Sequence, residues 1–102
     1  MYTTVVADIR FLWDERKSRQ NLAKHKISFE TATLVFEDPY AVSRFDRIKE
    51  GEERWQTLGV AGGITVLLVA HVDYEENGEA LVRIISARKA TRHERKFYEE
   101  GI

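Results

Sequence analysis

The sequence contains no cysteine. Disulfides, thiolate zinc sites and cysteine nucleophiles are therefore excluded, and the absence fits a reducing cytosol. Long hydrophobic runs are also missing. The longest apolar stretches, such as Val66 to Ala70, fall far short of the roughly 20 residues a membrane-spanning helix needs. Nothing at the start reads as a charged segment followed by an apolar core, as a secretory signal would. The expected location is the cytoplasm, with no membrane contact. Neither sign of charge dominates: the formal net charge is −1, an average that taken alone argues against a nucleic-acid partner. No internal repeat, linker or low-complexity segment interrupts the chain.

What is present is enough for a core. The 102 residues are 43% hydrophobic and 11% aromatic, which suits one domain spanning residues 1–102 and excludes a disordered tail. The near-neutral charge conceals segregation. Asp46, Glu50, Glu52 and Glu53, then Asp73, Glu75, Glu76 and Glu79, fall in two stretches that read as turns. Lys and Arg gather between Arg10 and Lys26 and again after Arg83. One basic face is compatible with this pattern, and a polyanion is the partner that would recognise it.

Local signals place the elements. Ile9, Phe11 and Trp13 alternate as a strand, and Asp14 is a good N-cap for a polar surface helix from Arg16 to Lys26. Ser28 caps a second helix, with Phe29, Ala32, Thr33 and Phe36 at i, i+3, i+4 and i+7, and Pro39 ends it. A strand from Tyr40 to Phe45 and a polar loop from Asp46 to Glu53 follow. Strands at Arg54 to Ala61 and Ile64 to Val72 flank a two-residue turn at Gly62-Gly63. Asn77-Gly78 turns the chain into Ala80 to Ser86. Thr91 and Glu94 form a capping box that opens a last, basic helix ending near Gly101. The expected class is α+β: an antiparallel sheet with two N-terminal helices and a C-terminal helix packed on it.

The hairpin carries an inference about chemistry. With Gly62-Gly63 as the turn, Ala61 pairs with Ile64, and counting back sets Arg54 opposite His71. An even register on the following strand adds Arg83 to the same face. Imidazole exchanges protons near neutral pH, and guanidinium groups bind phosphate and stabilise charge developing on it. Such a cluster suits RNA cleavage without metal: a base deprotonates a 2′-hydroxyl, a cation holds the phosphorane, and an acid protonates the leaving oxygen. The bland readings stand beside this one. His71 also reads as a core histidine, and Arg54 and Arg83 as partners of Glu53 or Asp73. Lys24 and His25 complement the end of a helix dipole, and His93 reads as exposed. His25, His71 and His93 lack metal-ligand spacing, so neither metal nor other cofactor is expected.

Two tracts together resemble the BrnT family of toxins. Phe11, Trp13, Asp14, Lys17, Asn21, Lys24, His25, Ile27 and Phe29 match its opening pattern F-x-W-D-x-x-K-x-x-x-N-x-x-K-H-x-[IV]-x-F. Arg83 to Ala90, Thr91, Glu94 and Arg95 match its closing pattern R-I-I-S-A-R-x-A-[ST]-x-x-E-R. Lys26 stands where the family usually has Gly, so the helix must end there in a less comfortable conformation or a different turn. The resemblance implies a RelE-like fold and a ribonuclease toxin of a type II toxin-antitoxin system that arrests translation. Its partner would be a BrnA-like antitoxin of ribbon-helix-helix type, assembled with it as a dimer of heterodimers that contacts operator DNA through the antitoxin. Carried onto matching positions, it favours His71 as base or acid, and Arg54, Arg83 and Arg88 for phosphate binding or charge stabilisation. Lys24, His25, Lys89 and Arg92 are expected to contact RNA. A non-catalytic nucleic-acid-binding module and a protein-interaction domain stay open as alternatives.

Overall fold

A computed structural model describes residues 1–101. In chain order the elements are β1 (Tyr2–Val6), β2 (Ile9–Trp13), α1 (Glu15–His25), α2 (Phe29–Thr33) running into a 3-10 turn (Leu34–Glu37), β3 (Val42–Lys49), β4 (Glu52–Ala61), β5 (Thr65–Glu76), β6 (Glu79–Lys89) and α3 (Arg92–Glu100). The strands form one sheet in the order β1-β2-β6-β5-β4-β3. All pairings are antiparallel except β2 with β6, which run parallel from Arg10↔Leu81 to Leu12↔Arg83. The expectation of a wholly antiparallel sheet is corrected at that point. The helices between β2 and β3 carry the chain away from β2, so its free edge is filled by the last strand.

The expected caps are in place. Asp14 accepts from the Arg16 and Lys17 amides, Ser28 from Thr31, and Thr91 and Glu94 form a reciprocal capping box. Each satisfies amide donors that a helix start leaves free. Lys26 ends α1 at φ 63°, the left-handed conformation glycine adopts at no cost. The segment before Ile9 forms a hairpin arm on β2, with Tyr2 stacked on Trp13 at 4.7 Å.

Two stretches read as loops are strand. β3 continues through Asp46 to Lys49 and β4 begins at Glu52, leaving only Glu50 (φ 53°) and Gly51 (φ 79°) as a two-residue turn. β5 likewise continues through Tyr74 to Glu76 and β6 begins at Glu79, leaving Asn77-Gly78 as the turn, and β6 runs on past Ser86 to Lys89. Charges on a strand face that no helix covers cost nothing to solvate, and their density resembles that of a loop.

One face of the sheet is covered by the α2 region. Phe11, Trp13, Phe29, Val35, Val69 and Ile84 form the main core there. Gly59 permits the close approach: a Cβ on it would stand 2.7 Å from Val35 Cγ1 and 2.9 Å from the Val35 carbonyl oxygen. On the opposite face a smaller cluster of Leu58, Val66, Leu68 and Ala90 takes Phe97 and Tyr98 of α3. Tyr98 donates to Asp38, which also accepts from the Val60 amide at 2.8 Å. Burial, then the Asp38 carboxylate, push the Tyr98 phenol up to about 12.

Beyond Arg83 the parallel partner of β6 ends, and a side chain takes its place. Buried Asn21 of α1 accepts from the Ala87 amide at 3.1 Å and donates to the Ala87 and Ile27 carbonyls, each at 2.8 Å. One amide thus satisfies three buried backbone groups, each costly to leave unpaired. Asn21→Ala should lower the free energy of unfolding by about 3 kcal/mol, read as a lower urea midpoint; an unchanged midpoint would show that water replaces the amide.

Candidate active site

Alternation along β4 and β5 assigns each side chain to a face, because residues paired across an antiparallel ladder share one. The β4–β5 loop is three residues, Gly62 to Ile64, since Ala61 pairs with Thr65. The expected register is therefore off by one, and Trp55, not Arg54, stands opposite His71. A slip of one residue exchanges faces. His71 lies on the covered face, 2% exposed and edge-on to Phe36 at 5.1 Å. It is neither surface nor backbone-satisfied: Nδ1 is 2.6 Å from Asp73 Oδ1 and Nε2 is 2.7 Å from Thr57 Oγ1, itself 2.7 Å from Ser43 Oγ. The structure separates His71 from the arginines it was expected to join.

Those arginines gather on the other face. Arg83 pairs with Val72, and Arg88 with Leu68. Residues five apart in a strand ordinarily face opposite ways. Here Ala70 pairs with Ser86 and His71 with Ile84, so Ile85 is an extra residue in β6. That bulge restores Arg88 to the face of Arg83.

At one end of this open face, Glu52 is the hub. Its carboxylate receives Tyr74 OH at 2.6 Å and Arg83 Nη2 at 2.6 Å, with Arg54 Nη2 at 4.0 Å. The Arg83 guanidinium also lies 5.9 Å from the centre of the Tyr74 ring. The Tyr74 hydrogen bond and then Arg83 lower the Glu52 carboxyl below its ordinary range. Burial and the Glu52 hydrogen bond raise the Tyr74 phenol. Arg54 is mostly buried, with Nε lacking any hydrogen-bond partner. A cleft of about 290 Å³ lies at this end of β4 and β5, lined by Glu52, Val72 and Tyr74 of this face and by Glu53, Trp55 and Asp73 of the other.

Toward α3, Glu94 is the second hub. Arg88 grips it through both guanidinium nitrogens at 2.8 and 2.9 Å, and Arg44 approaches at 3.5 Å while bonding Gln56 at 2.8 Å. The Arg88 hydrogen bonds, aided by the Thr91 amide, hold the Glu94 carboxyl down at about 2.

Lys24 and His25 line a separate cleft of about 280 Å³ between α1 and β6, with Lys17, Gln20, Asn21 and Ser86. Ser86 pairs with Ala70, which puts it on the side of Arg88, so this cleft borders the arginine face. Lys89 pairs with Leu67 and belongs to the covered face; Arg92 is exposed beside Arg95 and Lys96 of α3. Neither joins the cluster. Glu52, Tyr74 and Arg44 escaped the sequence reading, although extending β4 back two residues from Arg54 would have put Glu52 beside it.

The family model described as the ribonuclease toxin BrnT of type II toxin-antitoxin systems matches residues 13–94. The chain belongs to the BrnT family. The fold agrees with a solved relative, the 1.1 Å crystal structure of the Brucella abortus ribonuclease toxin BrnT, at a TM-score of 0.57 and 24% identity. That match covers 80% of this chain and 96% of the Brucella one. No curated protein matches in sequence. The chain is thus a BrnT-family member of the ribonuclease toxin class, whose type II systems pair a toxin with an antitoxin.

In this BrnT chain the Glu94 hub makes stability pH-dependent. Its carboxyl is depressed from 4.5 to about 2, so its contribution is full above pH 4.5 and is lost as pH falls toward 2. Glu94→Gln should lower stability at pH 7 and narrow its gap to wild type across that acid window in thermal melts. A constant gap would contradict the assignment.

Proposed function

We propose that this chain is a metal-independent endoribonuclease that arrests translation and cuts RNA on the open face of its sheet. The carrying observation is the Glu52 carboxylate held between Arg83, Tyr74 and Arg54. Donors arranged around one carboxylate also suit a phosphate, since both present oxygens to a guanidinium fork. The unfilled Nε of Arg54 adds a donor to the set.

In this reading, phosphate displaces Glu52 from Arg83, and the freed carboxylate accepts the proton of the 2′-hydroxyl. The 2′-oxygen attacks phosphorus, the bond to the 5′-oxygen breaks, and the Tyr74 hydroxyl supplies the leaving oxygen with its proton. The products are a 2′,3′-cyclic phosphate and a 5′-hydroxyl. Arg83 and Arg54 hold charge on the phosphorane. Arg88, reached once Glu94 shares it, and Lys24 with His25 extend the cationic track along the strand. His71 acts at a distance, by fixing the strand that carries Tyr74. A BrnA-like antitoxin neutralises the toxin, forms with it a dimer of heterodimers, and supplies contact with operator DNA; the family resemblance supports this part.

The test is cleavage of RNA by the antitoxin-free chain in EDTA, with folding checked by circular dichroism. Wild type should cut. Arg83→Ala and Glu52→Gln should each lose on the order of 10²-fold or more in kcat, leaving cyclic-phosphate ends scarce. Intact RNA with wild type, or full activity in both variants, would sink the proposal.

A further inference from the structure

β3 is one of the two edges of the sheet, paired only with β4. An edge strand presents a row of unpaired backbone groups that can take another strand. This one also carries a two-sided code. Val42↔Leu58, Arg44↔Gln56, Arg47↔Arg54 and Lys49↔Glu52 put Arg44, Arg47 and Lys49 on the open face. Phe45↔Trp55 and Ile48↔Glu53, on either side of the bulge at Asp46, put Phe45 and Ile48 on the other. Both apolar side chains are bare: Phe45 is 49% exposed, Ile48 67%, and Tyr40 just upstream 76%. Phe45 packs edge-on against Trp55 at 5.6 Å.

The opposite edge, β1, is shorter and carries no charge along Tyr2–Val6, so it offers no such code. A second copy of this chain is a poor occupant of β3, because pairing β3 with itself sets cations against cations. Arg47 already faces Arg54 directly across the ladder, and like charges in that position repel. An acidic strand relieves both.

We infer that β3 is the docking edge for the antitoxin, which adds a strand alternating carboxylates with apolar side chains. The carboxylates meet Arg47 and Lys49, Arg44 being held by Glu94 and Gln56, while the apolar side chains cover Phe45 and Ile48. The added strand lies about 4.8 Å outside β3 and so roughly 10 Å from β4, where its negative charge opposes RNA approaching Arg54 across Arg47. This rests on the toxin reading for the existence of the partner, not for the site's chemistry.

The probe is a capped peptide of roughly ten residues in which glutamate alternates with valine or phenylalanine. Titrated into the full chain, it should bind saturably, slow amide exchange at β3, and inhibit RNA cleavage. The same peptide N-methylated at alternate amides keeps its charge but cannot pair, and should bind at least about tenfold more weakly. Phe45→Ser with Ile48→Ser should weaken the parent peptide comparably while leaving RNA cleavage unchanged. No saturable binding, equal binding of the N-methylated peptide, protection at β1, or a β3-mediated dimer without peptide would each overturn the inference. Peptide protection at β3 with no RNA cleavage by wild type would instead remove the ribonuclease reading and leave the docking edge standing.

Discussion

The extra residue in β6 decides what the open face of this sheet is made of. Arg83 and Arg88 are separated by an odd number of positions, and a regular strand would send one of them into the apolar core. Ile85 absorbs the difference as a bulge between the pairs Ala70↔Ser86 and His71↔Ile84. The same irregularity leaves Ile84 and Ala87 both in the main core. Bulges are stable only where their unpaired groups are otherwise supported, and here Asn21 bonds the backbone at Ala87, two residues on. The α1 helix is thereby tied to the irregular part of β6, and its Lys24 and His25 come to border the face that the bulge creates.

The two faces divide the work. The covered one is apolar around Phe11, Trp13 and Phe29, and a polar line runs through it from Asp73 through His71 and Thr57 to Ser43, crossing from β5 to β3. Both ring nitrogens of His71 are engaged, Nδ1 by Asp73 at 2.6 Å and Nε2 by Thr57 at 2.7 Å, and Thr57 is in turn 2.7 Å from Ser43. The open face is ionic, and the two arginines of β6 are each met by a carboxylate: Arg83 by Glu52, Arg88 by Glu94. Charges so matched explain how a strongly cationic surface coexists with a net charge of only −1.

What was legible in the sequence was local. Asp14, Ser28 and the Thr91–Glu94 pair specify helix starts within four residues of themselves, and all three do so here. The Asn77-Gly78 turn is likewise contained in its own dihedrals, with φ of 53° and 79°. Register was not legible, because Gly62-Gly63 fits a two-residue or a three-residue loop equally well, and the choice is settled by packing of Leu58, Val66 and Leu68 under α3. That one step moved Arg54 away from His71. The bulge at Ile85 lies two residues from Ala87, whose backbone bonds Asn21 sixty-six positions earlier, so no short window of sequence contains both. Glu52 was hidden by its own neighbourhood: an acidic run looks like a solvated loop until the arginines that neutralise it are known to lie alongside.

The parallel pairing of β2 with β6 also sets an order in time. β3, β4 and β5 pair with sequence neighbours, as do β1 and β2, and within the sheet the two groups are joined by β6. Contacts between distant segments form late because the intervening chain must first be made and closed into a loop. A growing polypeptide that has not yet passed Arg83 is a lone hairpin and a three-stranded meander without the strand that joins them. The cations contributed by β6 arrive with that strand. A nascent chain short of Arg83 therefore holds Glu52 without the Arg83 guanidinium, and both arginine–carboxylate hubs form only once β6 and the start of α3 have been made.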